Sequence, residues 1–234
     1  MATVLIITAS PPPAATSLAA RLLDLFVSPS EVFEQVVAEE VNLANWRVPM
    51  LLACLAGVVL LRVTAIDDQA AVAIQQLTGT AKASAGRGEA MAGGWKILSS
   101  LAVCFGAVAG SLWSAFVVWL IGRCFLNVRF SYLKTLEIVG LTSIILVLGS
   151  IVTCLLIALS GDTAARPSLS LFGANRSSTM ALRTVLDSMS VFHIWTTTIL
   201  AIGLSKLSGV SFKESAFWVF GYWLGCRMAL VILA

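Results

Sequence analysis

Residues 97–122 read ILSSLAVCFGAVAGSLWSAFVVWLIG, twenty-six consecutive positions without Asp, Glu, Lys or Arg, bounded by Lys96 and Arg123. A helix crossing the hydrocarbon core of a bilayer needs about 20 predominantly apolar residues, so this stretch predicts a membrane-spanning helix. The same reading extends outward. Residues 138–161 form a second uncharged run of 24 and residues 188–205 a third of 18. Residues 47–66 hold a 14-residue uncharged run, 48–61, followed by Arg62, whose long side chain can snorkel to the interface. Residues 215–234 are uncharged apart from Arg227. The expected architecture is all-α: a polytopic membrane bundle of about five helices, with spans near 47–66, 97–122, 137–161, 188–206 and 215–234. An N-terminal segment, 1–46, precedes it.

The composition of the 234 residues agrees. Hydrophobic residues make up 59% and charged residues 12%, where a soluble domain carries about a quarter charged. The mean hydropathy is +0.95, too apolar for a globule that must cover itself with polar atoms. A net charge of +3 without a basic cluster or an aromatic stacking platform gives no expectation of nucleic-acid binding. Cys54, Cys104, Cys124, Cys154 and Cys226 lie in or beside apolar spans without a CxxC pair. They read as small membrane-buried hydrophobes, so neither a disulfide framework, a metal nor another cofactor is expected. The opening MATVLIITASPPPAA has no basic residue ahead of its apolar run, and a secretory signal is not expected.

Residues 14–46 predict two short amphipathic helices. Leu18, Leu22, Leu25 and Phe26 recur at helical spacing in the first. Ser28-Pro29-Ser30-Glu31 has the form of a capping box with proline at the first helical position. The stripe that follows is Val32, Phe33, Val36, Val37 and Val41, flanked by Glu31, Glu34, Glu39 and Glu40. An anionic leaflet would repel those acids. The helix is therefore expected to dock on a basic partner or on the chain's own basic residues: Arg123, Arg129, Lys134, Lys206 and Lys213.

The connection 82–94 (KASAGRGEAMAGG) has the composition of a flexible linker, and 162–187 forms a second polar excursion. The tight loops echo one another. Each leaves its helix through Ile-Gly (Ile121-Gly122, Ile202-Gly203) and reaches a Ser-aromatic pair (Ser131-Tyr132, Ser211-Phe212) where the serine can cap the next helix. Lys and Arg number seven on each side of the bundle, but five of those on the N-terminal side crowd into these two loops. Short-loop weighting of the positive-inside rule favours a cytoplasmic N-terminus.

The chain resembles the Ypt-interacting-protein (Yip) domain family, in its bacterial branch, over roughly residues 22–234. The resemblance rests on Pro29 and Phe33, then Asn45-Trp46-Arg47-Val48-Pro49 entering the first span. Phe130-Ser131-Tyr132 precedes the third, Trp195 and Gly203-Leu204 mark the fourth, and Ser211-Phe212-Lys213 opens the fifth. It implies a five-span bundle at residues 47–234 with a cytoplasmic N-terminus, and the expected location is the bacterial inner membrane. Eukaryotic relatives bind Rab-type GTPases and each other, and carry an Asp-Leu-Tyr-Gly-Pro motif. Here that motif is distorted to Asp24-Leu25-Phe26-Val27-Ser28-Pro29, and GTPase binding is not carried over. The partners expected are membrane lipids and either other membrane proteins or further copies of this chain.

Three sets of residues are candidates for a site. Ala102, Gly106, Gly110 and Ser114, and again Gly221, Gly225 and Ala229, place small residues at four-residue spacing. Such faces let helix backbones approach closely, first of all inside the bundle and otherwise between chains. Arg227 lies seven residues from the last residue and His193 six beyond Asp187. On helices rising about 1.5 Å per residue these reach similar depth, so an Arg227–Asp187 pair that fixes helix register is expected, or else a polar site of Asp187, His193 and Arg227 for a proton, ion or lipid headgroup. Glu137 is expected at the interface, in a solvated pair with Lys206 or Lys213. Ser205 has no usable base, because His193 is twelve residues away on the same helix, about 18 Å. Asp162 and Asp187 lie at span ends, away from each other. The leading expectation is a non-enzymatic scaffold or interaction protein; the alternative is a small transporter or channel for a solute, ion or lipid.

Overall fold

The computed structural model describes residues 17–64, 85–161, 165–168 and 190–233; of residues 85–93 and 230–233 only the helical backbone is described. Among the described residues eight helices follow in chain order: α1 Leu18–Val27, α2 Pro29–Ala38, α3 Ala44–Val63, α4 Ala85–Cys124, α5 Tyr132–Thr142, α6 Ile144–Ser160, α7 Val191–Ser208 and α8 Phe212–Leu233. Among the described residues the only β-type pairing is a single bridge between Ser168 and Ser190.

Local chemistry sets the boundaries. The Ser17 hydroxyl accepts the Ala20 N–H and starts α1. Pro29 is the first residue of α2, where its missing N–H costs nothing. The capping box forms only through the backbone: the Ser28 carbonyl, not its hydroxyl, takes the Glu31 N–H. α2 stops at Ala38, so Val41 lies beyond the helix and is exposed. α5 and α6 make one rod broken at Ser143. There Thr142 Oγ1 donates to the Ile138 carbonyl and Ser143 Oγ to that of Gly140, both at 2.6 Å, competition that bends helices. Gly161 and Gly209 close α6 and α7 in the left-handed conformation, φ +67° and +71°.

The spans run in alternating directions, with α5 and α6 counted as one rod after α3 and α4 and before α7 and α8. The end of α3 meets the start of the apolar part of α4, where Arg62 donates to the Lys96 carbonyl and Ser100 Oγ. Phe192 at the start of α7 lies beside Gly149 of α6, and Gly203 near its end lies beside Ile138 of α5. Helix α3 packs against α4, α5 and α6, while α7 packs against α2, α5 and α8. The main core sits where α1 and α2 lie across one end of this bundle. Leu25, Val32, Phe33 and Val36 interlock there with Ile138, Leu141, Ile145 and Ile199.

Among the described residues, four segments are long and apolar enough to cross a membrane: Ala44–Val63, Gly94–Cys124, Tyr132–Ser160 and Val191–Ser208. Helix α8, of 22 residues, carries Lys213 and Glu214 in its first turn and Arg227 further on. The third span begins at Tyr132 rather than at 137. A boundary drawn from charge gaps stops at Lys134 and Glu137, but these neutralise one another inside the bundle. The linker 82–94 is likewise helical from Ala85 onward. The outer surface is apolar: Phe105 is 76% and Leu159 86% exposed, with Leu55, Leu101 and Phe217 also outside. An exposed apolar surface of that extent suits lipid rather than water.

Candidate functional site

The N-terminal segment is held by a buried polar junction. Glu137, on the first turns of α5, is fully buried. Its Oε1 accepts the Asn45 side-chain amide at 2.8 Å and the Asn42 backbone N–H at 2.9 Å. Its Oε2 lies 2.8 Å from Lys134 Nζ, one turn earlier on the same helix. Lys134 is only 7% exposed, and its ammonium also donates to the carbonyls of Glu39 and Glu40 at 3.0 and 3.2 Å. These carbonyls and the Asn42 N–H lie just past the end of α2, where the backbone has no helical partners. One carboxylate and one ammonium thus satisfy a chain reversal and tie it to α5.

This corrects the expectation of a solvated Glu137 pair with Lys206 or Lys213. Lys206 is taken by Glu34 of α2, in a half-exposed ion pair at the rim. Glu39 pairs with Arg21 of α1, which is itself buried. The acidic helix therefore lies against Lys134 and Lys206 of the bundle, while Arg123 stands over the Trp119 ring, 5.2 Å from its centre. Reversing both Glu39 and Glu40 to lysine would set ammonium groups beside Arg21 and Lys134. Amide hydrogen exchange across α1 and α2 is expected to speed up about two- to fivefold, the size of a partly exposed ion pair. Unchanged exchange would show that these acids take no part in docking.

The second site is at the opposite end. A cavity of about 340 Å³ opens there between α3, α6, α7 and α8, its polar lining made by Ser150, Thr153, Arg166, Ser190, His193 and Arg227. The structure brings His193 and Arg227 together in it; Asp187 lies outside the described residues. The Arg227 guanidinium stands 5.8 Å from the centre of the Trp223 ring, and His193 Nδ1 is buried without a hydrogen-bond partner. Arg166 is the member that sequence reading missed, since its loop gave no sign of folding back onto α7. The Ser168–Ser190 bridge does this.

The small-residue faces are placed differently from the first expectation. Ala102, Gly106, Gly110, Gly221, Gly225 and Ala229 face outward, with Ser114 half-buried. A methyl group added at any of these four glycines would meet nothing within 4 Å. Close helix approach inside the bundle uses other glycines. A methyl on Gly140 would lie 2.5 Å from Trp46 Cα and 2.8 Å from the Asn45 carbonyl oxygen, and one on Gly203 would lie 2.5 Å from Ile138. The two tight loops share their form only in part: Ser211 Oγ accepts the Glu214 N–H, while Ser131 caps α5 through its carbonyl alone.

An all-helical bundle of apolar spans, apolar outside and carrying its polar contacts between helices, is an integral membrane protein. The chain matches the Yip1 domain over residues 23–234 and belongs to that family. Neither the curated proteins nor the solved structures contain a match to it. The residues that carried the resemblance have structural work in the fold: Phe33 fills the core, Asn45 binds Glu137, and Gly203 admits Ile138.

Proposed function

We propose that this chain is a non-enzymatic interaction protein of the inner membrane, its N-terminal segment cytoplasmic, that associates with further copies of itself through α4 and α8. The observation that carries this reading is the open space at Gly106, Gly110, Gly221 and Gly225. Inside a bilayer, lipid removes the hydrophobic drive for helix association, and close packing over small residues replaces it. Here the small residues that serve the monomer are a different set, so these faces remain for a partner helix. The crowding of basic residues in the loops 123–134 and 206–214 supports the orientation. Small-GTPase binding forms no part of the proposal, because Leu25 is fully buried and Phe26 packs edge-on against Trp195 at 5.6 Å between ring centres.

The test is energy transfer between donor- and acceptor-labelled copies in liposomes, at lipid ratios that separate association from crowding. Gly106→Ile with Gly110→Ile, or Gly221→Ile with Gly225→Ile, is expected to weaken association about tenfold, equivalent to about 1.4 kcal/mol. The monomer, in which a carbon added at these positions meets nothing within 4 Å, should keep its unfolding midpoint. Absence of transfer in the unaltered protein, or transfer indifferent to both double variants, overturns the proposal.

A further inference from the structure

We infer that the cavity between α6, α7 and α8 is a binding site for a phosphate oxyanion, carried on a phospholipid headgroup or free. Three independent features converge on it. Arg166 and Arg227 both line the cavity, and neither guanidinium has a hydrogen bond or an ion pair with a described residue. No carboxylate of the described residues lines it. An anion seated between the two arginines meets two positive charges at once. A guanidinium presents its N–H groups as a planar fork that matches phosphate oxygens.

The second feature is the start of α7. This 18-residue helix begins at the cavity with its N-terminal, positive end, and the Ser168–Ser190 bridge holds Arg166 beside it. The third is His193, which lines the same space and whose buried Nδ1 has no hydrogen-bond partner among the described residues. The hydroxyls of Ser150 and Thr153 are not the donors. They give their protons to the Leu146 and Gly149 carbonyls, at 3.0 and 2.8 Å. The donors left for an anion are the two guanidiniums.

The rest of the wall is apolar, with Leu60, Leu146 and Phe192. A phosphate attached to acyl chains could therefore seat its head on the arginines and keep its tails along the helices.

The experiment uses the full chain in a maltoside detergent, which contains no phosphate. Native mass spectrometry and the thermal unfolding midpoint report binding of three probes: dioleoylphosphatidylglycerol, dioleoylglycerol and inorganic phosphate. Phosphatidylglycerol is expected to bind and to raise the midpoint. Its association should fall about tenfold in Arg166→Gln and in Arg227→Gln, the loss of one charge-assisted contact each. Dioleoylglycerol, which lacks the phosphate, should not distinguish these proteins. Arginine-dependent stabilisation by inorganic phosphate, without any by phosphatidylglycerol, would assign the site to a free anion. Binding of both phosphate probes that is indifferent to both arginines overturns the inference. Arg166 is exposed on a loop, so its variant folds whether or not Arg227→Gln does, and it decides the matter alone.

Discussion

Lys134→Met is expected to lower the stability of the detergent-solubilised protein by about 3–5 kcal/mol, the cost of breaking a buried ion pair and leaving its partner charged. The argument rests on what the substitution leaves behind. Glu137 stays fully buried on α5, still accepting from Asn42 and Asn45, but its second oxygen loses the ammonium 2.8 Å away. The carbonyls of Glu39 and Glu40 lose their donor at the same time. The loss should be concentrated in α1 and α2, whose attachment to α5 passes through this junction. Hydrogen exchange of residues 18–38 is the sensitive readout, with the unfolding midpoint as the global one. The double variant Lys134→Met, Glu137→Leu removes both charges and should recover part of the loss, because an apolar pair needs no solvation. A single variant within about 0.5 kcal/mol of the parent would mean that the pair is solvated after all.

A second large effect is expected from one methyl group. Gly140→Ala should destabilise the bundle by about 1–3 kcal/mol, as overpacking does in a filled core. The obstacle is backbone: the new carbon would stand 2.5 Å from Trp46 Cα and 2.8 Å from the Asn45 carbonyl oxygen, and neither can turn away as a flexible side chain would. The site is built by proline. Pro49, inside α3, cannot donate to the carbonyl four residues earlier, which is that of Asn45. This leaves the Asn45 oxygen on the face that α5 approaches through Gly140. Gly110→Ala, whose new carbon meets nothing, is the control and should leave monomer stability within about 0.5 kcal/mol. Equal unfolding midpoints for the two variants would show that α3 and α5 do not pack this closely.

Some of this was legible because water is present at the ends of the bundle. The stripe Val32, Phe33, Val36 with Leu25 stands out against glutamates because α1 and α2 lie at the aqueous boundary, and these residues form the core. The same logic failed at Val41, which continues the spacing but falls after the helix has ended. In the polar cavity, His193 and Arg227 were legible as ionisable residues inside apolar runs, whereas Arg166 lay in a polar loop that gave no sign of returning.

The sequence by itself determined that apolar helices cross a bilayer, since a backbone in lipid must satisfy its own hydrogen bonds and long uncharged stretches permit nothing else. It also determined that the N-terminal segment is amphipathic and acidic. Only the tertiary structure decided how each span is rotated about its axis: that Gly140 and Gly203 face neighbours while Gly106 and Gly225 face outward. In water, polarity separates the inner from the outer face of a helix. In lipid both faces are apolar, and the pattern that would reveal rotation is lost. Tertiary structure alone also buried Glu137, because its partners Asn42 and Asn45 lie more than ninety residues away in the chain and only packing brings them together.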